Sequence, residues 1–169
     1  MDIHNFDIEK FLDLSGYDNE TRVSRRKDKT GDFSNEFFTP YEIVKKMCEK
    51  IPDQDWSNPD KTFLEPTCGN FQFIIYIIYK RILSGIDWKT AISTCYGVEL
   101  MQDNVDEGKQ RIFNLLESLR IDYNYEEVRS IVDHNFVCND FYKWNFDEWR
   151  PMTDEEIVEE EKKNKKKKK

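Results

Sequence analysis

Three carboxylates at the ends of predicted strands are the residues of this chain best placed to take part in binding or catalysis. Glu65, Glu99 and Asp140 each follow or close a short apolar run that is typical of a buried strand. The carboxyl ends of parallel strands meet at one edge of a sheet, so these side chains are expected to converge. One carboxylate can accept hydrogen bonds from a ribose diol and another from an exocyclic amine, while Phe141 can cover a base. The pattern predicts a site for a ligand that contains adenosine.

A short polar turn follows the first of these strands. The sequence TFLEPTCGNFQF, Thr62 to Phe73, passes from an apolar run through Glu65-Pro66 and a turn into a second, longer apolar run. A strand, a tight turn and a helix in this order place a nucleotide-like ligand at the carboxyl end of the strand. Backbone N–H groups at the start of such a helix point towards the ligand. Glu65 is available for a cation.

Four segments in a fixed order carry a resemblance to a known family. They are NEFFTPYEIV (Asn35 to Val44), FLEPTCGN (Phe63 to Asn70), YGVEL (Tyr96 to Leu100) and CNDF (Cys138 to Phe141). In this order and spacing they resemble the cofactor-binding half of the amino-methylating, adenine-specific DNA methyltransferases. The resemblance implies methyl transfer to adenine N6 in DNA as the reaction, and S-adenosyl-L-methionine as the cofactor.

The resemblance also implies a role for each segment. The first is similar to the family's FTP motif, which contacts the methionine part of the cofactor. The acid of YGVEL would hold the ribose hydroxyls, and the acid and aromatic of CNDF would bind the adenine. The cofactor-binding residues implied in this way are Phe38, Thr39, Pro40, Glu65, Pro66, Thr67, Cys68, Gly69, Asn70, Glu99, Leu100, Asp140 and Phe141.

The chain departs from the family pattern at two places. Phe71 stands where the family usually has a second glycine, and its side chain is expected to narrow the cofactor cavity. The family's catalytic (D/N)PP(Y/F) motif, which binds the flipped adenine, is absent, because the only proline after Pro66 is Pro151. No catalytic residue is therefore assigned, and we expect this chain to be incomplete for catalysis alone. A non-catalytic cofactor-binding or regulatory module, half of a split methyltransferase and a protein that keeps the fold only for an interaction remain alternatives.

Strand-like runs alternate with helix-like runs, which is typical of parallel βαβ units. We expect an α/β protein with a truncated Rossmann-like methyltransferase fold of about three parallel strands and flanking helices. The predicted strands are Thr62 to Leu64, Cys95 to Leu100 and Phe136 to Cys138. The predicted helices are Ile8 to Leu14, a helix capped by Thr39 with Pro40 at its first position, Phe71 to Leu83, Asp87 to Ser93, Asp103 to Leu119 and Tyr125 to Val132.

Composition divides the chain into an amino-terminal helix and basic polar segment (1–34), a cofactor-binding domain (35–150) and a charged low-complexity tail (151–169). The tail is expected to be disordered or a solvated helix. The net charge of −8 argues against a protein that wraps nucleic acid with a positive surface. DNA nevertheless remains a candidate partner, because lysines fill most of residues 162–169.

The resemblance implies an arrangement in which the first strand is central and a fourth strand pairs on its free side, so with only three strands that edge of the first strand would be open. Proteins normally cover such edges, so we expect the amino-terminal segment, a second copy or a separate chain to do so.

Four well-separated cysteines without a CxxC pair make a zinc site or a disulfide framework improbable and indicate buried thiols in a reducing cytoplasm. The longest apolar run, Phe71 to Tyr79, is too short to span a bilayer, so no membrane partner is expected.

Overall fold

A three-stranded parallel sheet with flanking helices organises the computed structural model, which describes residues 3–14 and 38–167. The strands are β1 (Phe63–Glu65), β2 (Cys95–Glu99) and β3 (Phe136–Cys138), in the order β1-β2-β3. In the register, Phe63 lies beside Cys95 and Gly97 beside Phe136. The prediction of an α/β protein with three parallel strands is confirmed, and each strand lies within one or two residues of its predicted position.

Eight α-helices surround or follow this sheet in the described ranges. They are α1 (Ile8–Phe11), α2 (Tyr41–Cys48), α3 (Asp53–Trp56), α4 (Gln72–Leu83), α5 (Trp88–Ser93), α6 (Gln102–Ser118), α7 (Tyr125–Asn135) and α8 (Asp154–Lys167). Two further strands, β4 (Trp144–Asn145) and β5 (Arg150–Pro151), pair as an antiparallel hairpin that the sequence did not predict. None of the helices in the described ranges is long and apolar enough to cross a membrane.

Most helices cover the same face of the sheet. Phe63, Cys95 and Phe136 share that face and are buried. Phe63 stacks on Trp56 with ring centroids 5.7 Å apart, and the Cys95 thiol donates to the carbonyl of Ala91 in α5 at 3.2 Å. This one-sided cover follows from right-handed crossovers between parallel strands, which carry successive helices to the same side.

The opposite face of the sheet has a much thinner cover. Tyr96 of β2 contacts the ring of Trp149 in the β4–β5 hairpin, with centroids 4.9 Å apart. Leu64 of β1 lies on the same face as Tyr96 by alternation along the strands, and its surface is 50 % exposed. The hairpin therefore protects the centre of this face and leaves the side nearest β1 open to solvent.

The outer edge of β1 has no strand beside it in the part of the chain that the structure describes. The N–H of Phe63 donates to the carbonyl of Thr94 at 2.9 Å, so the backbone groups of Leu64 point away from β2. Residues 3–14 lie elsewhere, because Phe6 packs on Tyr79 of α4 with ring centroids 5.6 Å apart. Residues 3–14 thus do not supply the expected cover, and the remainder of the amino-terminal helix and basic polar segment (1–2 and 15–34) lies outside the described residues.

The helix behind the FTP-like segment begins one residue later than predicted. Pro40 has φ −60° and ψ 152° and precedes the first helical residue, Tyr41. The carbonyl of Pro40 accepts the first helical hydrogen bonds, from Ile43 and Val44, each at 3.1 Å. The prediction of Thr39 as the N-cap and Pro40 as the first helical residue is therefore wrong. An extended Pro40 leaves Thr39 outside the helix, where its carbonyl can meet other groups.

The carboxyl-terminal helix α8 has a defined start. The Thr153 N–H donates to Glu156 Oε2 at 2.7 Å, and the Glu156 N–H donates to Thr153 Oγ1 at 3.3 Å, which together form a capping box. Arg150 of β5 adds a two-pronged contact, with Nη1 and Nη2 at 2.9 and 2.8 Å from the Glu156 carboxylate. This guanidinium lowers the pKa of Glu156 to about 2. Of the two expectations for the tail, the structure shows a helix over 154–167.

Phe71 does not narrow the ligand-facing side of the turn, contrary to the prediction from its bulk. Its backbone is left-handed, with φ 72°, and this conformation sends the ring into the core, where it is fully buried. The ring lies 4.7 Å from that of Phe136, centroid to centroid. Gly108 of α6 makes room for it, because a Cβ at that glycine would lie 2.3 Å from Phe71 Cγ.

We expect Gly108→Ala to destabilise the protein by about 1–3 kcal/mol through overpacking. Glycine to alanine in a helix interior ordinarily stabilises by about 1 kcal/mol, so the sign of the change is diagnostic. Urea denaturation of both proteins measures it.

The double variant Gly108→Ala/Phe71→Leu is the control for this prediction. The smaller leucine relieves the clash, so the two substitutions are expected to be strongly non-additive. A stabilising Gly108→Ala, or additive effects of the two changes, would contradict the packing of Phe71 against α6.

Candidate functional site

Two adjacent cavities lie at the edge where the parallel strands have their carboxyl ends. The larger has a volume of 480 Å³ and is lined by Pro66, Thr67, Val98, Glu99, Leu100, Asn139, Asp140, Phe141 and Tyr142. The smaller has a volume of 210 Å³ and is lined by Phe38, Thr39, Glu65, Thr67, Cys68, Gly69, Asn70, Gln72 and Phe73. Thr67 lines both cavities. The larger one falls in the range of about 300–1,000 Å³ that is usual for small-molecule sites.

The turn from β1 to α4 separates the two cavities, and backbone hydrogen bonds fix its shape. The Cys68 N–H donates to the carbonyl of Val98 at 3.0 Å, and the Phe71 N–H donates to the carbonyl of Cys68 at 2.8 Å. Gly69 has φ 51°, a conformation that glycine adopts without a steric cost. Gly97 leaves room for the turn, since a Cβ there would lie 2.7 Å from Cys68 Sγ.

The Glu99 carboxylate joins the turns that follow β1 and β2. Its Oε2 accepts a hydrogen bond from the Gly69 N–H at 2.9 Å, and its Oε1 accepts one from the Met101 N–H at 3.0 Å. A carboxylate has about four lone-pair positions, so two such bonds leave acceptor capacity towards the larger cavity. The same residue can therefore hold the two turns in place and receive hydroxyl groups of a ligand.

Asp140 has a structural task as well as a place at the cavity. Its Oδ1 accepts a hydrogen bond from the Tyr142 N–H at 2.9 Å and caps the short 3₁₀ helix Phe141–Lys143. Phe141 next to it forms part of the cavity lining, and its ring centroid lies 5.2 Å from that of Phe146 in the hairpin loop. The hairpin thereby supports the aromatic wall of the larger cavity.

Glu65 is the acidic residue of the smaller cavity. Burial raises the pKa of its carboxyl group, because desolvation disfavours the charged form, and hydrogen bonds from Thr67 oppose the shift. A cationic group beside a partly desolvated carboxylate would favour its charged form. The smaller cavity is therefore chemically suited to a positively charged part of a ligand.

The structure brings nearly all of the predicted cofactor residues together. Twelve of the thirteen line one or both cavities; the exception is Pro40, which lines a separate cavity beside α1. Leu100 lies beyond the end of β2 on the rim of the larger cavity, where it is 66 % exposed. Asn35 to Phe37 of the FTP-like segment lie outside the described residues.

Sequence reasoning missed several residues of this edge. Tyr142 and Asn139 line the larger cavity, and Gln72 lines the smaller one. The polar Gln72 at the start of an otherwise apolar run was the available signal, because a buried amide needs hydrogen-bond partners. Arg111 of α6 supplies one of them, with Nη2 2.6 Å from Gln72 Oε1.

Thiols close to the site are not poised to act as nucleophiles. Cys68 lies in the turn but is buried, and burial raises the pKa of its thiol far above the ordinary value. Cys138 at the end of β3 is exposed, so the prediction of buried thiols is wrong for this residue, although partial desolvation still raises the pKa of its thiol. A thiolate is the reactive form of cysteine, so nucleophilic chemistry by these residues is disfavoured.

Comparisons of the chain with models of protein families, with curated proteins and with solved structures found no match.

The burial of Glu65 generates a prediction about stability and pH. A raised pKa in the folded protein means that the folded state holds a proton that the unfolded state has lost, over the pH range from 4.5 up to the raised value. Stability associated with this group is complete below pH 4.5 and is lost as the pH rises through the raised pKa. Glu65→Gln is thus expected to be more stable than the wild type at pH 7, with the difference vanishing towards pH 4. Denaturant unfolding across this pH range measures it.

Thr67→Val provides the matched comparison for Glu65→Gln. It removes a hydrogen bond that favours the charged carboxylate, so it should lower the stability at pH 7 relative to the wild type and widen the gap to Glu65→Gln. A Glu65→Gln protein that is less stable than the wild type at pH 7 would refute the role of desolvation.

Proposed function

We propose that this chain is an S-adenosyl-L-methionine-binding protein of the adenine-specific DNA methyltransferase type, and that it acts as one part of a divided enzyme. The observation that carries the proposal is the convergence of Glu99, Asp140 and Phe141 on one cavity next to the turn 65–70. In this proposal the three-stranded sheet with helices mainly on one face is half of a Rossmann-like fold.

The larger cavity suits the nucleoside of the cofactor. The Glu99 carboxylate accepts from the ribose hydroxyls with the lone pairs that Gly69 and Met101 leave unused. Asp140 lines the same cavity, and in the proposal its carboxylate accepts from the exocyclic amine of adenine while the Phe141 ring covers the base. The short apolar rim at Leu100 and Tyr142 borders the same space.

The smaller cavity suits the methionine part of the cofactor. This part carries a sulfonium and an ammonium group, and the Glu65 carboxylate faces the cavity that would receive them. A cation next to Glu65 favours its charged form and so offsets the desolvation that raises its pKa. Phe38 and Thr39, from the FTP-like segment, also line this cavity.

Binding of the acceptor base requires a catalytic loop like the (D/N)PP(Y/F) motif, which the described residues do not contain. We propose that a partner chain supplies this loop at the open outer edge of β1. A strand placed beside β1 in parallel orientation would bring its carboxyl end next to Glu65 and Pro66. Leu64 of β1 lies on the face of the sheet that has the thinner cover and is 50 % exposed, and a partner beside β1 would cover it. The acceptor in this proposal is the N6 amine of adenine in DNA.

The direct test is calorimetric titration with S-adenosyl-L-methionine and with its demethylated product. We expect binding by the wild type, and at least about a hundredfold loss for Glu99→Ala, because a charge-assisted pair of ribose hydrogen bonds is worth roughly 3 kcal/mol. Asp140→Ala is expected to weaken binding by about tenfold, the value of one such bond.

Glu126→Ala is the matched control for these substitutions, since Glu126 is an exposed acid at the start of α7, away from both cavities. It should bind like the wild type. Absence of binding by the folded wild type, or equal losses for Glu126→Ala and Glu99→Ala, would refute the proposed function.

A second test concerns catalysis. Transfer of a labelled methyl group to unmethylated DNA is expected to stay at background with this chain alone, even when the cofactor is bound. Adenine methylation by the purified chain without any partner would contradict the divided enzyme while leaving the cofactor site intact.

A further inference from the structure

We infer that Gln72 and Arg111 are positioning residues that hold the wall of the methionine-side cavity and thereby set the preference for a complete cofactor over its nucleoside. The inference rests on the function proposed above and goes beyond the motif residues, because neither side chain belongs to any of the four segments. Gln72 is the first residue of α4, and Arg111 lies in the middle of α6.

The Gln72 side chain joins two stretches of chain that are separate in sequence. It is almost fully buried, and its Nε2 donates to the carbonyl of Thr39 at 3.2 Å and to that of Leu12 at 3.1 Å. Thr39 lies just before α2 and Leu12 just after α1. One amide group therefore attaches both stretches to the start of the helix that follows the cofactor turn.

Arg111 fixes the orientation of that amide. Its Nη2 donates to Gln72 Oε1 at 2.6 Å, which identifies Oε1 as the acceptor and leaves Nε2 to face the two carbonyls. Its Nη1 donates to the carbonyl of Asn70 at 2.6 Å, inside the turn itself. A planar guanidinium with several donors can make both contacts at once, which a lysine ammonium at the same place does not reproduce.

These contacts concern only one of the two cavities. Phe38 and Thr39 form a wall of the 210 Å³ cavity, and neither residue belongs to a helix or a strand. The larger cavity is lined by Val98 and Glu99 of β2 and by residues that follow β1, β2 and β3, and by none of the residues whose carbonyl groups accept from Gln72. Loss of the Gln72 amide should therefore loosen the methionine side and leave the nucleoside side intact.

The experiment compares two ligands on the full chain, S-adenosyl-L-methionine and adenosine. For Gln72→Met and Arg111→Lys we expect about tenfold or greater weakening for the complete cofactor, the equivalent of one or more lost hydrogen bonds. The affinity for adenosine is expected to stay within about twofold of the wild type, so the ratio of the two constants changes. Gln110→Glu, an exposed neighbour of Arg111 on α6, is the control and should alter neither constant.

Amide hydrogen exchange in the ligand-free protein tests the positioning separately from the proposed function. In Gln72→Met we expect faster exchange at residues 43–44, whose N–H groups donate to the carbonyl of Pro40 next to Thr39, with unchanged exchange at residues 97–99 of β2. Equal weakening of both ligands, no weakening of either, or unchanged exchange at residues 43–44 would overturn the inference. A wild type that binds neither ligand refutes the cofactor proposal, and the exchange result then still decides whether Gln72 holds the wall.

Discussion

The left-handed backbone at Phe71 is the constraint on which both the core and the candidate site depend. A non-glycine residue in this conformation costs about 1–2 kcal/mol, and burial of a phenylalanine side chain contributes roughly 1.5–3 kcal/mol in return. The ring fills the space between β3 and α6, where Gly108 admits it. Gly69 and Asn70, which immediately precede Phe71, line the smaller cavity. The Phe71 side chain, which was expected to narrow the cofactor cavity, instead packs in the core and holds the turn in place.

Carboxylates at the carboxyl edge have structural partners and remain suited to bind a ligand. Glu99 joins two turns through backbone N–H groups, and Asp140 caps a 3₁₀ helix. An acid at a strand end can hydrogen-bond the following backbone or bind a ligand, and the geometry of Glu99 and Asp140 makes the two roles compatible. A side chain held by the backbone loses little further freedom when a ligand arrives, so preorganisation lowers the cost of binding.

Sequence reasoning predicted those parts of the protein that local patterns determine. The alternation of strand-like and helix-like runs along the chain predicted three parallel strands and the helices between them. The position of Glu65, Glu99 and Asp140 at predicted strand ends indicated that they lie at one edge of the sheet. It failed where distant residues decide. The direction of Phe71 depends on a glycine that follows it by 37 positions along the chain, and the contacts of Gln72 depend on Arg111. The β4–β5 hairpin has strands of only two residues each, too short for an alternating pattern. The start of α2 was misplaced by one residue because proline is usual at the first helical position, whereas Pro40 here is extended and forms the N-cap.

Because Cys68 is buried, chemical modification of its thiol would report opening of the turn between the two cavities. Its thiol is enclosed between the turn and Gly97, and its raised pKa keeps it in the unreactive protonated form. An alkylating reagent reaches this sulfur only in molecules whose turn has lifted from the sheet, whereas Cys138 is accessible throughout. The rate at which Cys68 becomes modified is consequently set by a local unfolding equilibrium, and any ligand that seals the turn slows it. The reactivity of Cys68 thus measures how often this turn opens.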